Sequence, residues 1–403
     1  LGEFVSLMAL LTSLVALSID AMLPALSIIG VDLNVQRENG TQLIVTAMFV
    51  GFAVGQLCFG PVSDSIGRKL PIYAGLGLFM LGSVLSMIAW SFPVMLIGRV
   101  LQGFGAAAPR IVSIALIRDQ YEGRAMARIM SFVMAVFILV PVLAPALGQA
   151  VLLIADWRMI FGLLLLLALV VSVWFSTRQP ETLPPAQRVP FSLRRIAAAA
   201  GEVLRDRCAL GYTIASGLVF GAFLGYLNSA QQIFQVQFSV GTRFPLYFGA
   251  LALSIGCASY LNAQLVMRFG MRLLSWRALQ AASIVSGSYF VFAWTTAGTP
   301  PLWTFMTWGS ITFFCLGLVF GNFNAMAIES LGHIAGVAAS VIGSVATMIS
   351  LLFGLLIGQS FDGTVLPLVG GFALLGMSSL LTMHLTERGI QRPYGPGISR
   401  ESE

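Results

Sequence analysis

Long apolar runs alternate along the chain with short polar breaks rich in glycine, proline and charge. A membrane helix needs roughly 20 predominantly apolar residues. Runs near 4–29, 41–62, 71–90, 92–115, 128–151 and 158–176 each predict one crossing. Further runs near 208–233, 244–267, 273–296, 301–326, 335–360 and 364–386 predict six more. The pattern predicts an all-α polytopic membrane protein with twelve transmembrane helices.

The longest polar interruption, Thr177 to Arg207, holds four prolines and six arginines. It divides the chain into an N-terminal six-helix bundle (1–177), a linker (178–207), a C-terminal six-helix bundle (208–390) and a tail (391–403). Part of the linker reads as an amphipathic helix on the membrane surface. The halves echo each other: GPVSDSIGRKLP aligns with NAQLVMRFGMRLLS, pairing Gly67 with Gly270 and Lys69 with Arg272, while Met267 replaces Asp64. Two pseudo-symmetric bundles around a central site are a common transporter design.

Composition narrows the class. Of the 403 residues, 9% are charged and 58% hydrophobic, where a soluble protein carries about 25% charge. The net charge of +6 does not imply nucleic-acid binding, because the basic residues are distributed by side. With both termini inside, 17 basic residues fall on the cytoplasmic side, three outside (Arg37, Arg158, Arg243) and two within spans (Arg99, Arg110). That asymmetry fits the positive-inside rule. The expected location is a bacterial inner membrane. Cys58, Cys208, Cys257 and Cys315 have neither metal-site nor disulfide spacing, so no metal is expected. His333 and His384 form no zinc motif, and no phosphate-binding P-loop is present. An enzyme is therefore not expected. Because Leu1 is not methionine, a short preceding segment is expected; the first apolar run is too long for a signal peptide.

Asp20, in LSIDAMLPAL, is the only acid deep within a predicted span. A carboxylate at mid-membrane costs about 2.5–3.5 kcal/mol on insertion scales unless paired or wet. Burial disfavours its charged form and a nearby cation favours it, so such a group can take and release a proton at cellular pH. The plain alternative is a structural aspartate satisfied by a neighbouring helix. Arg99 is the expected neighbour: counted from the outer ends of their spans, the two depths agree within about 3 Å. A static ion pair is its alternative role. Arg110 lies further in, near the cytoplasmic end, where a long side chain reaches the interface.

Several separated motifs resemble the major facilitator superfamily, and more closely its drug:proton antiporter branch of bicyclomycin, chloramphenicol and florfenicol exporters. Gly60, Asp64, Gly67, Arg68 and Lys69 match the loop pattern G-x-x-x-D-x-x-G-R-[KR]; Arg99, Gln102, Gly103 and Gly105 match the span 4 motif. Pro141, Pro145 and Gly148, in PVLAPALGQA, resemble the span 5 antiporter motif, with Ala144 where a glycine is usual. SIDAMLPAL resembles the span 1 signature, with Met22 in place of a bulky aromatic. The resemblance implies that Asp64 faces the start of span 11 near Gly336, and that Arg68 joins a charge cluster with Asp119, latching the cytoplasmic side. The span 5 prolines bend their helix, either for packing or to form a tight, leak-resistant seam.

The resemblance implies a proton-coupled efflux antiporter working by alternating access, with Asp20 and Arg99 in proton coupling. An exporter or a proton symporter of the same fold for a physiological metabolite, siderophore or sugar is the alternative. Met22, Phe223, Tyr226, Asn228 and Arg110 are candidate cavity residues, since apolar and aromatic walls suit lipophilic compounds. For the intramembrane amides, including Gln56, Asn228, Asn262 and Asn322, hydrogen-bonded glue between helices is the competing reading. The expected partners are a small lipophilic substrate, protons and membrane lipid, with no nucleic acid. The expected energy source is the proton gradient, without a cofactor, and the expected state is a monomer.

Overall fold

The computed structural model describes residues 2–37 and 39–388. The proposed 391–403 tail lies outside the described residues, as do residues 389 and 390 of the second half. The described chain is helical: α1 (Gly2–Asp20), α2 (Leu26–Asp32), α3 (Leu43–Ile66), α4 (Lys69–Met87), α5 (Phe92–Gln120), α6 (Gly123–Ile154) and α7 (Arg158–Arg178) form the first half. A short helix, α8 (Leu193–Arg205), precedes α9 (Arg207–Gln231), α10 (Phe244–Phe269), α11 (Met271–Thr295), α12 (Leu302–Ile328), α13 (Ala335–Gln359) and α14 (Leu366–Glu387).

Among the described residues, eleven segments are long and apolar enough to cross a membrane, with α1 and α2 acting as one. The twelfth span is α11, whose first turns carry Arg272 and Arg277 and are correspondingly less apolar. It packs against α12 and α14 as α4 packs against α5 and α7. The other pairings repeat in the same way: α1 on α6 answers α9 on α13, and α3 on α5 answers α10 on α12. The two bundles are thus related by a pseudo-twofold, and meet chiefly through α3 on α13 and α6 on α10.

The aligned glycines occupy equivalent turns. Gly67 (φ 101°) ends α3 and Gly270 (φ 78°) ends α10, each in the left-handed region that favours glycine. Small residues also set the interhelical spacing: a side chain at Gly51 or Gly103 would overlap backbone of α5 or α3, respectively. Close packing through small residues is the usual way membrane helices associate, since lipid offers no hydrophobic drive between them.

The first span is not one continuous helix. It tightens into a 3₁₀ turn at Leu23–Ala25 immediately after Asp20. Pro24 explains this: lacking an N–H, it cannot donate to the carbonyl of Asp20 four residues back. A mid-helix 3₁₀ segment often marks a hinge or functional site.

Candidate functional site

Asp20 is the only buried carboxylate among the described residues, at 4% exposure. It makes no hydrogen bond or ion pair to another described side chain; burial dominates its surroundings. Across the bundle interface, the Tyr226 hydroxyl of α9 feels the Asp20 charge and is itself buried without a hydrogen-bond partner.

The expected meeting of Asp20 with Arg99 does not occur as an ion pair. Arg99 is fully buried on α5, donating from Nε to the Ile44 carbonyl (3.3 Å) and from Nη1 to Gln102 Oε1. Gln102 in turn donates to Ser83 Oγ (2.9 Å), and the guanidinium lies 5.8 Å from the Phe161 ring centre. The depth counted along each span did not make them partners, because the i, i+3 spacing to Gln102 puts a neutral acceptor on Arg99's own helix face. Its Nη2 remains buried and unpartnered. The site therefore holds an unpaired acid and a cation with one unpartnered nitrogen, not joined to each other as an ion pair.

The Pro141–Gly148 segment of α6 forms the wall beside the acid. Gly148 sits directly against Ala21, the residue after Asp20: a Cβ there would overlap the Ala21 carbonyl. Ala144 is fully buried on the same seam. Farther along α6, Val142 and Ile138 face Gly249 and Gly256 of α10. One helix thus packs the acid's segment on one side and the other half on the other.

The candidate cavity residues separate into groups. Tyr226 and Phe223 belong to an aromatic cluster with Phe313, at 4.7 Å and 5.7 Å between ring centres, and Phe248 stacks on Tyr226 at 5.5 Å. Met22 is wholly buried. Asn228 is engaged in structure, donating to the Gly354 carbonyl (3.1 Å) and accepting from Thr46 of the other half (3.5 Å). Arg110 stands apart on α5, its guanidinium 4.9 Å from the Phe137 ring of α6.

The loop after α3 marks the basic end of the bundle. Arg68 is buried and binds Asp119 (2.8 Å), Asp64 (2.5 Å) and Ser63 Oγ (3.0 Å). Asp64 lies beside Gly336 in the first turn of α13, where the helix's partial positive charge favours an anion. Gly60 permits the close approach of Ser340 on α13, and Lys69 lies over the Tyr73 ring. Sequence reasoning missed Glu181, whose carboxylate accepts from the backbone N–H of Arg68 (2.9 Å), Lys69 (3.1 Å), Thr182 (3.0 Å) and Leu183 (3.1 Å). Partial burial works against its charge, but the four donors outweigh it and hold the carboxyl below the usual glutamate range. Thr182 also donates to Asp119. The linker is thereby tied into the loop.

At the opposite end, four amides join the halves. Gln42 bonds Gln232, which donates to Asn39 Oδ1 (2.8 Å). Gln359 donates to the Asn39 carbonyl (2.8 Å) and to Gln42 (3.3 Å), while Asn39 Nδ2 reaches the carbonyls of Gln359 and Phe361. A π-helical turn, Gln232–Gln237, opens where Gln232 reaches across. These residues were missed because each sits singly at the end of a span; their common position is their only sequence signal. Among the described residues, no three metal-binding side chains cluster.

The sequence profile described as Major Facilitator Superfamily matches residues 8–355. The chain is 29% identical to an uncharacterized MFS-type transporter of Bacillus subtilis, over 92% of this chain and 94% of the relative. It is 28% identical to a bicyclomycin resistance protein homolog of Haemophilus influenzae (96% and 97% covered) and 25% identical to multidrug resistance protein D of Escherichia coli (94% and 96% covered). Its fold is similar to the crystal structure of a D-xylose–proton symporter, with a TM-score of 0.75 at 14% identity, covering 94% of this chain and 96% of that one.

Proposed function

Since the chain belongs to the major facilitator superfamily, we propose that this transporter exports small, mostly lipophilic molecules, amphenicol-type compounds among them, in exchange for protons. In this reading the protein spans a bacterial inner membrane, with the basic end and both termini on the cytoplasmic side. The observation that carries the reading is Asp20, a buried, unpaired acid beside a break in its helix. The names of the relatives, bicyclomycin and multidrug resistance proteins, support export of drug-like cargo.

In this reading a proton neutralises Asp20 in one access state and leaves in the other, and cargo competes for the state that Asp20 controls. Rocking of the halves changes which groups surround the carboxyl, because its neighbours come from both halves: Tyr226 from the second, the α6 seam from the first. Arg99, with a free donor, supplies the positive field without quenching the acid. One proton moving down 100 mV supplies about 2.3 kcal/mol, enough for a roughly 50-fold gradient of a neutral substrate.

The test uses inverted membrane vesicles with an acidified lumen, a panel of amphenicols and lipophilic cations, and a pH-gradient dye. Compound-dependent loss of the gradient in wild type but not in Asp20→Asn is expected. Equal responses in both would remove Asp20 from coupling. Silence in both would direct the search to a physiological metabolite.

A further inference from the structure

The linker helix α8 has two apolar stripes, and the protein covers only one. Ala199 and Val203 are buried, with Ile196 beside them, where α8 packs on α9 and α13. The helix is held firmly: Ser192 caps its start, Glu202 pairs with His333 (2.7 Å), and Asp206 caps α9 by accepting from Ala209 N–H (2.7 Å). At 100° per residue, Leu193, Ala197 and Leu204 fall on a second stripe turned well away from the first. Leu193 is 72% exposed, Leu204 52%, and Phe191 just before the helix 51%. Arg194 and Arg205 lie along the edge of that stripe, exposed, and neither makes an ion pair among the described residues.

We propose that this second face of α8 is a seat for anionic phospholipid, with Leu193 and Leu204 in the acyl boundary and Arg194 and Arg205 on headgroup phosphates. Three features select lipid as the occupant. A single residue, Asp206, separates α8 from the spanning helix α9, so α8 stays at the level where the spans end. An apolar stripe bordered by arginines matches a helix lying in the membrane interface. Unpaired guanidiniums complement phosphate geometrically and electrostatically.

The seat adjoins the charged loop. Ser192, Arg195 and Ile196 share a small cleft with Pro61 and Asp64 of α3 and Val337 of α13, where the halves meet. Lipid held on α8 therefore bears on the junction between the halves. This inference does not depend on the cargo or on proton coupling.

The test reads lipid binding without transport. Full-length protein is reconstituted in phosphatidylcholine vesicles, and spin-labelled phosphatidylglycerol and phosphatidylcholine are compared for the immobilised fraction at the protein surface. Wild type should favour phosphatidylglycerol, and R194Q/R205Q should weaken that preference by roughly fivefold per arginine at most. L193S/L204S should lower it as well, with thermal unfolding in detergent reporting that both variants remain folded. R243Q, on a loop outside α8, should behave as wild type. An unchanged preference in R194Q/R205Q, or none in wild type, would overturn the proposal. So would its abolition by free inorganic phosphate, which would indicate an anion site rather than a lipid seat.

Discussion

Gly148 of α6 lies against Ala21, the first residue after α1, so closely that a single added methyl would overlap the Ala21 carbonyl oxygen. The contact fixes the wall of the bundle one residue from Asp20. The Ala21 backbone cannot step aside as a flexible side chain can. Gly148→Val should therefore separate the helices and destabilise the protein by about 1–3 kcal/mol, the range for overpacking. A thermal-unfolding series over Gly148→Ala and Gly148→Val checks this. Equal stability in all three would mean that the seam is soft.

Arg99→Gln should lose the positive field while keeping a side chain of helix-forming type. It removes the donor to the Ile44 carbonyl and leaves Gln102 without its charged partner. A loss of about 1–3 kcal/mol is expected from the unsatisfied buried groups. Arg99→Lys should recover charge but not both bonds, because an ammonium lacks the planar fork. Detergent melting curves of the two variants separate charge from geometry; full recovery by lysine would show that charge alone matters.

Glu181 gives a pH-dependent prediction. Its folded carboxyl titrates below the ordinary value of 4.5 because four backbone donors favour the charged form over partial burial. Its contribution is then complete above 4.5 and fades as pH falls through the lower folded value. Wild type should exceed Glu181→Gln in stability near neutrality, and the difference should shrink on acidification. A constant difference across that range would exclude the capping role.

Asn262 and Asn322 exchange amide hydrogen bonds between α10 and α12 at 3.1 Å and 3.0 Å. Replacing one by leucine leaves the other without its cross-helix partner, Asn322 keeping only its bond to the Leu318 carbonyl, whereas replacing both removes the need. Each single variant should lose about 1–2 kcal/mol and the double variant less than their sum. A double-mutant cycle measured by unfolding checks the coupling; additive losses would deny it.

The amide cluster at the far end should act as a clasp. Asn39→Ala removes bonds to Gln359, Phe361 and Gln232 at once. The bonds are exposed or part-buried, so about 1 kcal/mol per bond at most is expected to be withdrawn from the closed arrangement of that end. Cysteine labelling at a reporter on α13 should accelerate in the variant; unchanged labelling would place the closure elsewhere, in the α6–α10 packing.

The spans, the halves and the aligned turns at Gly67 and Gly270 were legible in the chain, because hydropathy and glycine report on backbone requirements that are local. Asp20 and the Arg68 loop stood out for the same reason: charge is rare among apolar residues. The break after Asp20 was written in Pro24, yet apolar run length alone suggested a continuous helix. Glu181 was hidden in a proline-rich linker without periodicity.

The sequence by itself determined the membrane-spanning architecture, since the absence of water in the bilayer forces each apolar run to satisfy its own backbone as a helix. It also determined which side chains are conspicuous there. Tertiary structure alone decided their partners. Arg99 turned to Gln102 rather than Asp20, Asn228 became a brace, Glu181 capped α4, and α8 was left with an uncovered stripe. Depth along a helix can be counted from sequence, but partnership also depends on rotation about each axis and on packing distance. Those are set by the glycine contacts between helices far apart in the chain.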